Sequence, residues 1–513
     1  MNFFIVCFLA FMSGFISLSY EIFWFRIYFF TMTCSAKTFG FLLYFFLFGV
    51  AIGAYWAERF CRINNSQSRN KIISVLAFIV FGANCIAYWT VPILAYTAVY
   101  FFWQLTFLLI ILSTTMFGAV LPLLSHAFIE PDKRTGSRFS YIYLANILGA
   151  VFGVLLTGHV ITAFLSTRQM ALFLIGVGFL QIVILVWLLK PKKIKCFLVF
   201  LFLLIFYFLF HCSSMWSFEK IYEKLLYKTK YGIRPPLTDV LENRHGVIVV
   251  DKEGTLYGNG VYDGVFSVDL INDRNIIFRA YAIGILHQNP EEVLIVGLGS
   301  GSWAKVVSNI PSVKKVIIVE INPGYIEIVS RHPETADILK DPKVHIIIDD
   351  ARRWLRRNSN AKFDVILANI TYNYVANVTN LLSTEFLDII DLHLKKGGIY
   401  YYNTTHSLSV QRTGMLKFEY GLRIASFLAL SHSPIIFDND LWIEFLKNMK
   451  INSKNVIEPD NPAHGEAWHK LISLIYTLEK EPKPDGMETR ESLLRRTASC
   501  PIVTDDNMGM EFQ

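Results

Sequence analysis

The stretch EVLIVGLGSGS sets Gly297, Gly299 and Gly301 directly after an apolar run. Glycines let a chain turn tightly and bring its backbone against a ligand. Glu320 closes the next apolar run, KKVIIVE, about 20 residues on, where a carboxylate accepts hydrogen bonds from two ribose hydroxyls. Asp349 and Asp350 end KVHIIIDD, in reach of an adenine amino group, and Asn369 ends FDVILAN, facing the reaction centre. GLGSGS lacks the last glycine of the dinucleotide spacing, which disfavours NAD. Glycine loop, distant acid and acid pair together point to an adenosyl-type nucleoside site. The competing reading is a purely structural fold in which the carboxylates only cap helices.

The elements that must position these residues alternate. EVLIV, KKVIIVE, KVHIII, FDVILAN and IYYYNTT read as five strands. WAKVVSNI, PGYIEIVSRH, ARRWLRR and STEFLDIIDLHLKKGG read as the intervening helices, the last closed by glycine. Such alternation gives a parallel sheet covered on both faces, with ligands at the carboxyl ends of the strands. Upstream, GVIVV and TLYGNGVYDGVFSV cluster β-formers around Gly and Asn and read as a small antiparallel region. PIIFDNDLWIEFLKN reads as a last strand and helix.

The first 212 residues are of another kind. Seven apolar runs, near 3–31, 38–57, 72–92, 99–125, 141–164, 168–189 and 195–211, are each long enough for a membrane helix of about 20 residues. The first is too long for a signal peptide and lacks a basic start and a small-residue cleavage site. The expected organisation is a multi-pass domain over 1–212, an interfacial linker over 213–240, the α/β domain over 241–450 and an extension over 451–513. Three loops are basic: Arg59, Arg62, Arg69 and Lys71; Lys133, Arg134 and Arg138; Lys190, Lys192, Lys193 and Lys195. Basic loops face the cytoplasm. Seven crossings then put the second domain outside and six put it inside, so its side stays open. The expected location is the inner membrane of a bacterium.

Glu21 and Arg26, in SLSYEIFWFR, lie in or beside the first span. An acid inside a membrane is a functional candidate by default, and an interfacial Glu–Arg pair beside Trp24 is the plainer reading. Gly49 and Gly53, and Gly149 and Gly153, have the spacing that lets helices approach closely. The net charge of +7 derives in part from the basic loops and gives no reason to expect nucleic acid. Of the seven cysteines only Cys500 lies beyond the apolar half and its exit, so no disulfide framework is expected in the second domain. No histidine spacing suggests a metal.

The stretch from Glu291 to Thr404 resembles the spermidine synthase (polyamine aminopropyltransferase) family, in its members fused to an N-terminal membrane domain. NPEEVLIVGLGSGS, KVIIVEINP, DPKVHIIIDDARRWL and KFDVIL match that family in order and spacing. LYGNGVYDG resembles its β-hairpin, and SLSYEIFWFR the opening of the membrane domain. The resemblance implies a Rossmann-like α/β domain of the class I methyltransferase type after an α-helical transmembrane bundle. It implies decarboxylated S-adenosylmethionine, or S-adenosylmethionine, as donor, lined by Gly297, Gly299 and Gly301, with the ribose on Glu320 and the adenine on Asp349 or Asp350. In the family a deprotonated amine attacks the carbon beside the sulfonium and methylthioadenosine leaves. The base is an aspartate in a DSxDP-like turn, and here that turn is Asn369-Ile370-Thr371-Tyr372-Asn373. Asparagine cannot take the proton. The family's Tyr-His-Glu segment is replaced by NDRNII over 272–277, and its glutamine after the hairpin glycine is missing.

The resulting expectation is a membrane-anchored transferase whose acceptor is not putrescine but another small amine or a membrane-embedded group. Asn369 and Tyr372 stand at the catalytic turn, and dimers are implied by the family. A conventional aminopropyltransferase would need a relocated base among Tyr262, Asp263, Asp269, Tyr372 and Tyr374. A non-catalytic sensor or transporter-like protein with a degenerate synthase domain is the third reading.

Overall fold

The computed structural model describes residues 3–63, 69–189, 193–370, 372–473, 486–509 and 511. Thr371 of the turn expected to be catalytic and Lys190 and Lys192 of the third basic loop lie outside them. The chain divides into two units: Met1–Thr33, Lys37–Pro236 and Glu242–Val247 form the first, and Cys34–Ala36, Leu237–Leu241 and Ile248–Gln513 the second.

Among the described residues the first unit contains seven helices long and apolar enough to cross a membrane: α1 Phe3–Thr31, α2 Lys37–Ile63, α3 Arg69–Val99, α4 Trp103–Phe128, α5 Thr135–Phe164, α6 Thr167–Leu188 and α7 Ile194–Ser217. The chain thus has the build of a multi-pass membrane protein. Ser166 starts α6 with a reciprocal cap, its hydroxyl taking the Gln169 N–H while the Gln169 side chain takes the Ser166 N–H. The last span runs to Ser217, past the expected boundary at 212, and the linker forms α8, Ile221–Tyr227.

Lipid offers helices no hydrophobic reason to associate, so close backbone approach has to supply the attraction. The glycine pairs provide it. A Cβ on Gly149 would lie 1.9 Å from the Phe11 carbonyl oxygen, and one on Gly153 2.5 Å from that of Phe15. On α2, a Cβ on Gly49 would meet Thr114 Oγ1 at 2.0 Å and one on Gly53 the Thr115 oxygen at 1.9 Å. The expected packing role of these glycines is what the bundle displays.

Arg26 does not pair with Glu21. Its Nη2 lies 3.4 Å from Glu242 Oε2, and its Nη1 donates to the Thr162 carbonyl at 3.5 Å. Thr167 N–H (2.8 Å), Thr167 Oγ1 (2.6 Å) and Tyr222 OH (2.8 Å) converge on the same Glu242 oxygen. The expected pairing of Arg26 with Glu21 is thus replaced by one with an acid 216 residues further on.

After the helices comes a four-stranded sheet in the order β1-β2-β3-β4: Leu237–Asn243, Gly246–Asp251, Thr255–Gly258 and Val261–Val265. Eight strands then form the main sheet: β5 Glu292–Val296, β6 Lys315–Glu320, β7 Val344–Ile348, β8 Phe363–Ala368, β9 Leu394–Asn403, β10 Tyr420–Ile424, β11 Phe427–Ser431 and β14 Met487–Thr489, with β12 Lys450–Ile451 and β13 Lys454–Asn455 as a separate hairpin. The order is β14-β10-β11-β9-β8-β5-β6-β7. The five strands expected from sequence are mutually parallel. β11, β10 and β14 add antiparallel to one edge. Helices α9 Ser302–Ser308, α10 Gly324–Arg331, α11 Ala351–Arg357 and α12 Thr384–Asp391 make the crossovers. Strand order reverses between β5 and β8, which opens a ligand crevice at their carboxyl ends.

Three expectations change. The helix over STEFLDIIDLHLKKGG stops at Asp391, and Leu394 already begins β9, so Gly397 (φ +79°) bends a strand rather than closing a helix. PIIF forms no strand; β10 and β11 lie before it. Residues beyond 450 are not merely appended: β14 extends the sheet, and Glu488 on it, almost fully buried, accepts from Arg423 Nε and Arg496 Nη2, each at 2.8 Å.

Replacing Gly149 with leucine should separate α1 from α5 and destabilise the bundle by about 1–3 kcal/mol or more, seen as a lower melting temperature in detergent. Glu488→Ala leaves Arg423 buried without its counter-charge and should cost about 3–5 kcal/mol, read from denaturant unfolding of the second unit.

Candidate functional site

Gly297, Gly299 and Gly301 all sit in the left-handed region, with φ of +88°, +53° and +75°. A side chain would be strained at each. They do different work. A Cβ on Gly301 would press 2.7 Å from Ile338 Cδ1, so this glycine permits close packing. A Cβ on Gly297 would meet nothing within 4 Å, so the loop leaves open space over its first glycine.

Glu320 ends β6 beside that loop and is 4 % exposed. Its Oε2 accepts the Leu298 N–H and its Oε1 the Asn322 N–H, both at 2.7 Å. A carboxylate has about four lone-pair positions, so these backbone bonds do not exhaust it. Burial pushes its pKa up to about 7, opposed by backbone bonds from Leu298, Asn322 and Ile321 and assisted by the nearby charge of Asp263. Asp263, on β4, accepts a hydrogen bond from Tyr325 OH. Burial raises its pKa to about 6, and the Tyr325 bond opposes this. Two carboxyl groups thus border the loop, an environment suited to a cationic ligand.

Asp349 and Asp350 stand where the sequence placed them, but both are engaged. Asp349 Oδ1 accepts Arg353 Nε at 2.6 Å, and that arginine holds its pKa below the usual range. Asp350 caps α11 by accepting the Arg353 N–H at 2.7 Å. The capping reading therefore holds for Asp350, and an adenine would have to compete with an arginine for Asp349.

The opposite side of the crevice lacks acids at the expected turn. Asn369 Oδ1 accepts from Asn403 Nδ2 at 3.3 Å. Tyr372 and Tyr374 stack with centroids 5.4 Å apart and are 38 % and 39 % exposed. In the 272–277 segment, Asn275 Oδ1 accepts from Tyr262 OH at 3.0 Å. Tyr262 is pushed up to about 12 by burial, against the pull of Arg279. Arg279 is buried, donates to Ser426 Oγ at 2.8 Å and lies 4.8 Å from the Phe427 ring centroid. Asp269 folds back on its own turn, taking the Ile271 N–H at 2.7 Å. Sequence reading missed Tyr325 and Arg279. Neither sits in a motif, and the Asp263–Tyr325 bond spans 62 residues.

Residues 281–422 match the family described as spermine/spermidine synthase domain. The second unit carries a spermine/spermidine synthase domain. Named relatives agree. A polyamine aminopropyltransferase of Leptospira biflexa is 43% identical over 84 residues, 16% of this chain and 30% of that protein. One of Oceanobacillus iheyensis is 25% identical over 493 residues, 90% of this chain and 82% of that protein. A match of that extent takes in most of the apolar helices as well as the synthase domain. Among solved structures, spermidine synthase in complex with the transition-state analogue AdoDATO aligns at 19% identity and a TM-score of 0.36, over 47% of this chain and 89% of that one. Among the described residues no group of three His, Cys, Asp or Glu side chains is placed to hold a metal ion.

The raised Glu320 pKa fixes a sign. The folded chain keeps this proton to a higher pH than the unfolded chain does, so the carboxyl costs stability as pH rises from about 4.5 through 7. A ribose or a cation requires the ionised form. Nucleoside affinity should therefore fall about tenfold from pH 8 to pH 6, and Glu320→Gln should flatten that profile, as measured by calorimetric titration.

Proposed function

We propose that the synthase domain binds a cationic S-adenosyl nucleoside, decarboxylated S-adenosylmethionine or S-adenosylmethionine, and transfers its alkyl group to an acceptor other than putrescine. The observation behind the reading is the asymmetry of the crevice. Its nucleoside side has an open glycine loop, Glu320 and Asp263. Its other side presents Asn369, Tyr372 and Asn275, none of which supplies a carboxylate to hold a dicationic diamine.

The donor brings the chemistry of a sulfonium leaving group. The residues of this chain have three tasks. Glu320 would hold the ribose hydroxyls and so fix the sugar over Gly297. Asp263 and Glu320 would offset the positive sulfur. Asn369 can orient an attacking group through its amide but cannot remove a proton, so the acceptor has to arrive as a free base or lose its proton to water. A missing general base commonly costs about 10²–10⁴-fold.

A binding-only sensor is favoured by two facts: the base is absent at Asn369, and the first unit has seven candidate spans. With the basic loops cytoplasmic, an odd count sets the residues after Ser217 outside, away from cytosolic donors. Lys220, Lys224, Lys228, Lys230 and Arg234 follow that span and weigh against this orientation. A reporter fused after Gln513 separates the orientations.

Purified protein should bind methylthioadenosine and decarboxylated S-adenosylmethionine at micromolar concentrations, with Glu320→Gln at least about tenfold weaker, a loss of about 1.4 kcal/mol. With putrescine as acceptor, release of methylthioadenosine should be at least about 10²-fold slower than in an enzyme with the aspartate. Absence of binding by either nucleoside would sink the reading, and rapid turnover of putrescine would sink its acceptor half.

A further inference from the structure

Three residues that the chain places between the first two spans belong to the second unit. α1 ends at Thr31 and α2 begins at Lys37, yet Cys34–Ala36 group with the second unit and not with the helices before and after them. Ser35 pairs antiparallel with Val375, and the Cys34 carbonyl accepts the Ala376 N–H at 2.9 Å. The Cys34 thiol donates to the Asn259 carbonyl at 3.2 Å. Cys34 is buried, and burial, together with the charge of Asp263, pushes the thiol pKa up. The group therefore stays protonated, which is the form that can donate. Thr33 and Cys34 both sit in the left-handed region, at φ +52° and +59°. Non-glycine residues persist there only where their surroundings impose it.

The two segments that Cys34 touches come from the two sides of the crevice. Asn259 lies in the turn between β3 and β4, and Asp263 follows on β4. That strand rests against the glycine loop. A Cβ on Gly299 would lie 3.3 Å from the Asp263 carbonyl oxygen, and one on Gly264 3.3 Å from Ser300 Oγ. The Asp263 carboxyl group is fixed in turn by Tyr325 OH. Val375 and Ala376 directly follow Tyr374, which stacks on Tyr372. Just beyond them buried Glu511 accepts the Asn377 N–H at 2.9 Å and the Thr379 N–H at 2.6 Å. The tyrosine loop is thus held at two places, by Glu511 and by the Cys34–Ser35 backbone.

We propose that Cys34 is a positioning residue of the transferase crevice: it ties the β3–β4 hairpin, which carries Asp263, to the loop that carries Tyr372 and Tyr374, and so sets the separation of the two walls. The inference rests on the reading of this crevice as a nucleoside site. Cys34 touches no reacting atom, and no covalent step is involved. The crevice is then incomplete without the chain between α1 and α2.

The test uses the full chain in lipid nanodiscs and three variants. Cys34→Gly deletes the thiol at a backbone conformation that glycine adopts without strain. Ala376→Pro deletes the N–H bound to the Cys34 carbonyl, and Cys34→Ser keeps a donor. Amide hydrogen exchange over residues 259–263 and 372–377 should quicken at least about tenfold in Cys34→Gly and Ala376→Pro and stay near wild type in Cys34→Ser. Methylthioadenosine affinity, measured by calorimetry, should fall about three- to tenfold in the first two and return to within about twofold of wild type in Cys34→Ser. A residue that served only the fold would lower the melting temperature and leave the affinity of the folded protein unchanged. Wild-type exchange over both segments in Cys34→Gly would overturn the proposal, and so would wild-type affinity in that variant, even if Ala376→Pro does not fold. A wild type that binds no methylthioadenosine would instead sink the nucleoside reading, and the exchange profiles would still decide whether Cys34 ties the two segments.

Discussion

The second unit is organised around one buried carboxylate. Glu320 ties the end of β6 to the glycine loop after β5 by accepting one backbone N–H from each side. Those two bonds hold the loop in a conformation that only glycine adopts easily, and they hold the carboxyl group at the mouth of the crevice. The cost is visible in its raised pKa. A site that must retain an anion in a low-dielectric setting is poised for a ligand with hydroxyl donors and positive charge. The parallel strands on either side exist to place that carboxyl group and the open space over Gly297 in register.

The first unit answers a different constraint. Its helices meet through glycine, where added methyl groups would strike backbone oxygens, and its polar groups gather at particular depths. Glu242 draws together Arg26, Thr167 and Tyr222 at one level. Glu21 stays apart from that cluster. Among the described residues Glu242 and Glu58 are each bound by an arginine, whereas Glu21 is bound by no side chain.

Much of this was legible in the sequence where the signal is local. Seven apolar runs became seven helices, with ends displaced by several residues because apolarity fixes the middle of a span and not its termini. The five parallel strands were readable because each is a short apolar run bounded by charge or glycine. The glycine loop and Glu320 were readable because their spacing follows from one βαβ unit. What failed was non-local. β10, β11 and β14 pair antiparallel at an edge, and β14 lies more than 60 residues beyond β10. The helix expected through LHLKKGG ended early because Leu394 pairs with Phe363 on β8. Arg26 lies five residues after Glu21, the one acid near it in sequence, yet its partner Glu242 is 216 residues away. Arg279 and Tyr325 bond to Asn275 and Asp263 without belonging to a motif.

The central claim is that the crevice grips an adenosyl nucleoside through Glu320. Its most direct test is an experimental structure of the full chain with methylthioadenosine bound. The account predicts ribose hydroxyls on the Glu320 carboxylate and the sugar over Gly297, with the thioether directed toward Asn369. Nucleoside density elsewhere, or a crevice in which Glu320 contacts only the Leu298 and Asn322 amides at saturating methylthioadenosine, would contradict it.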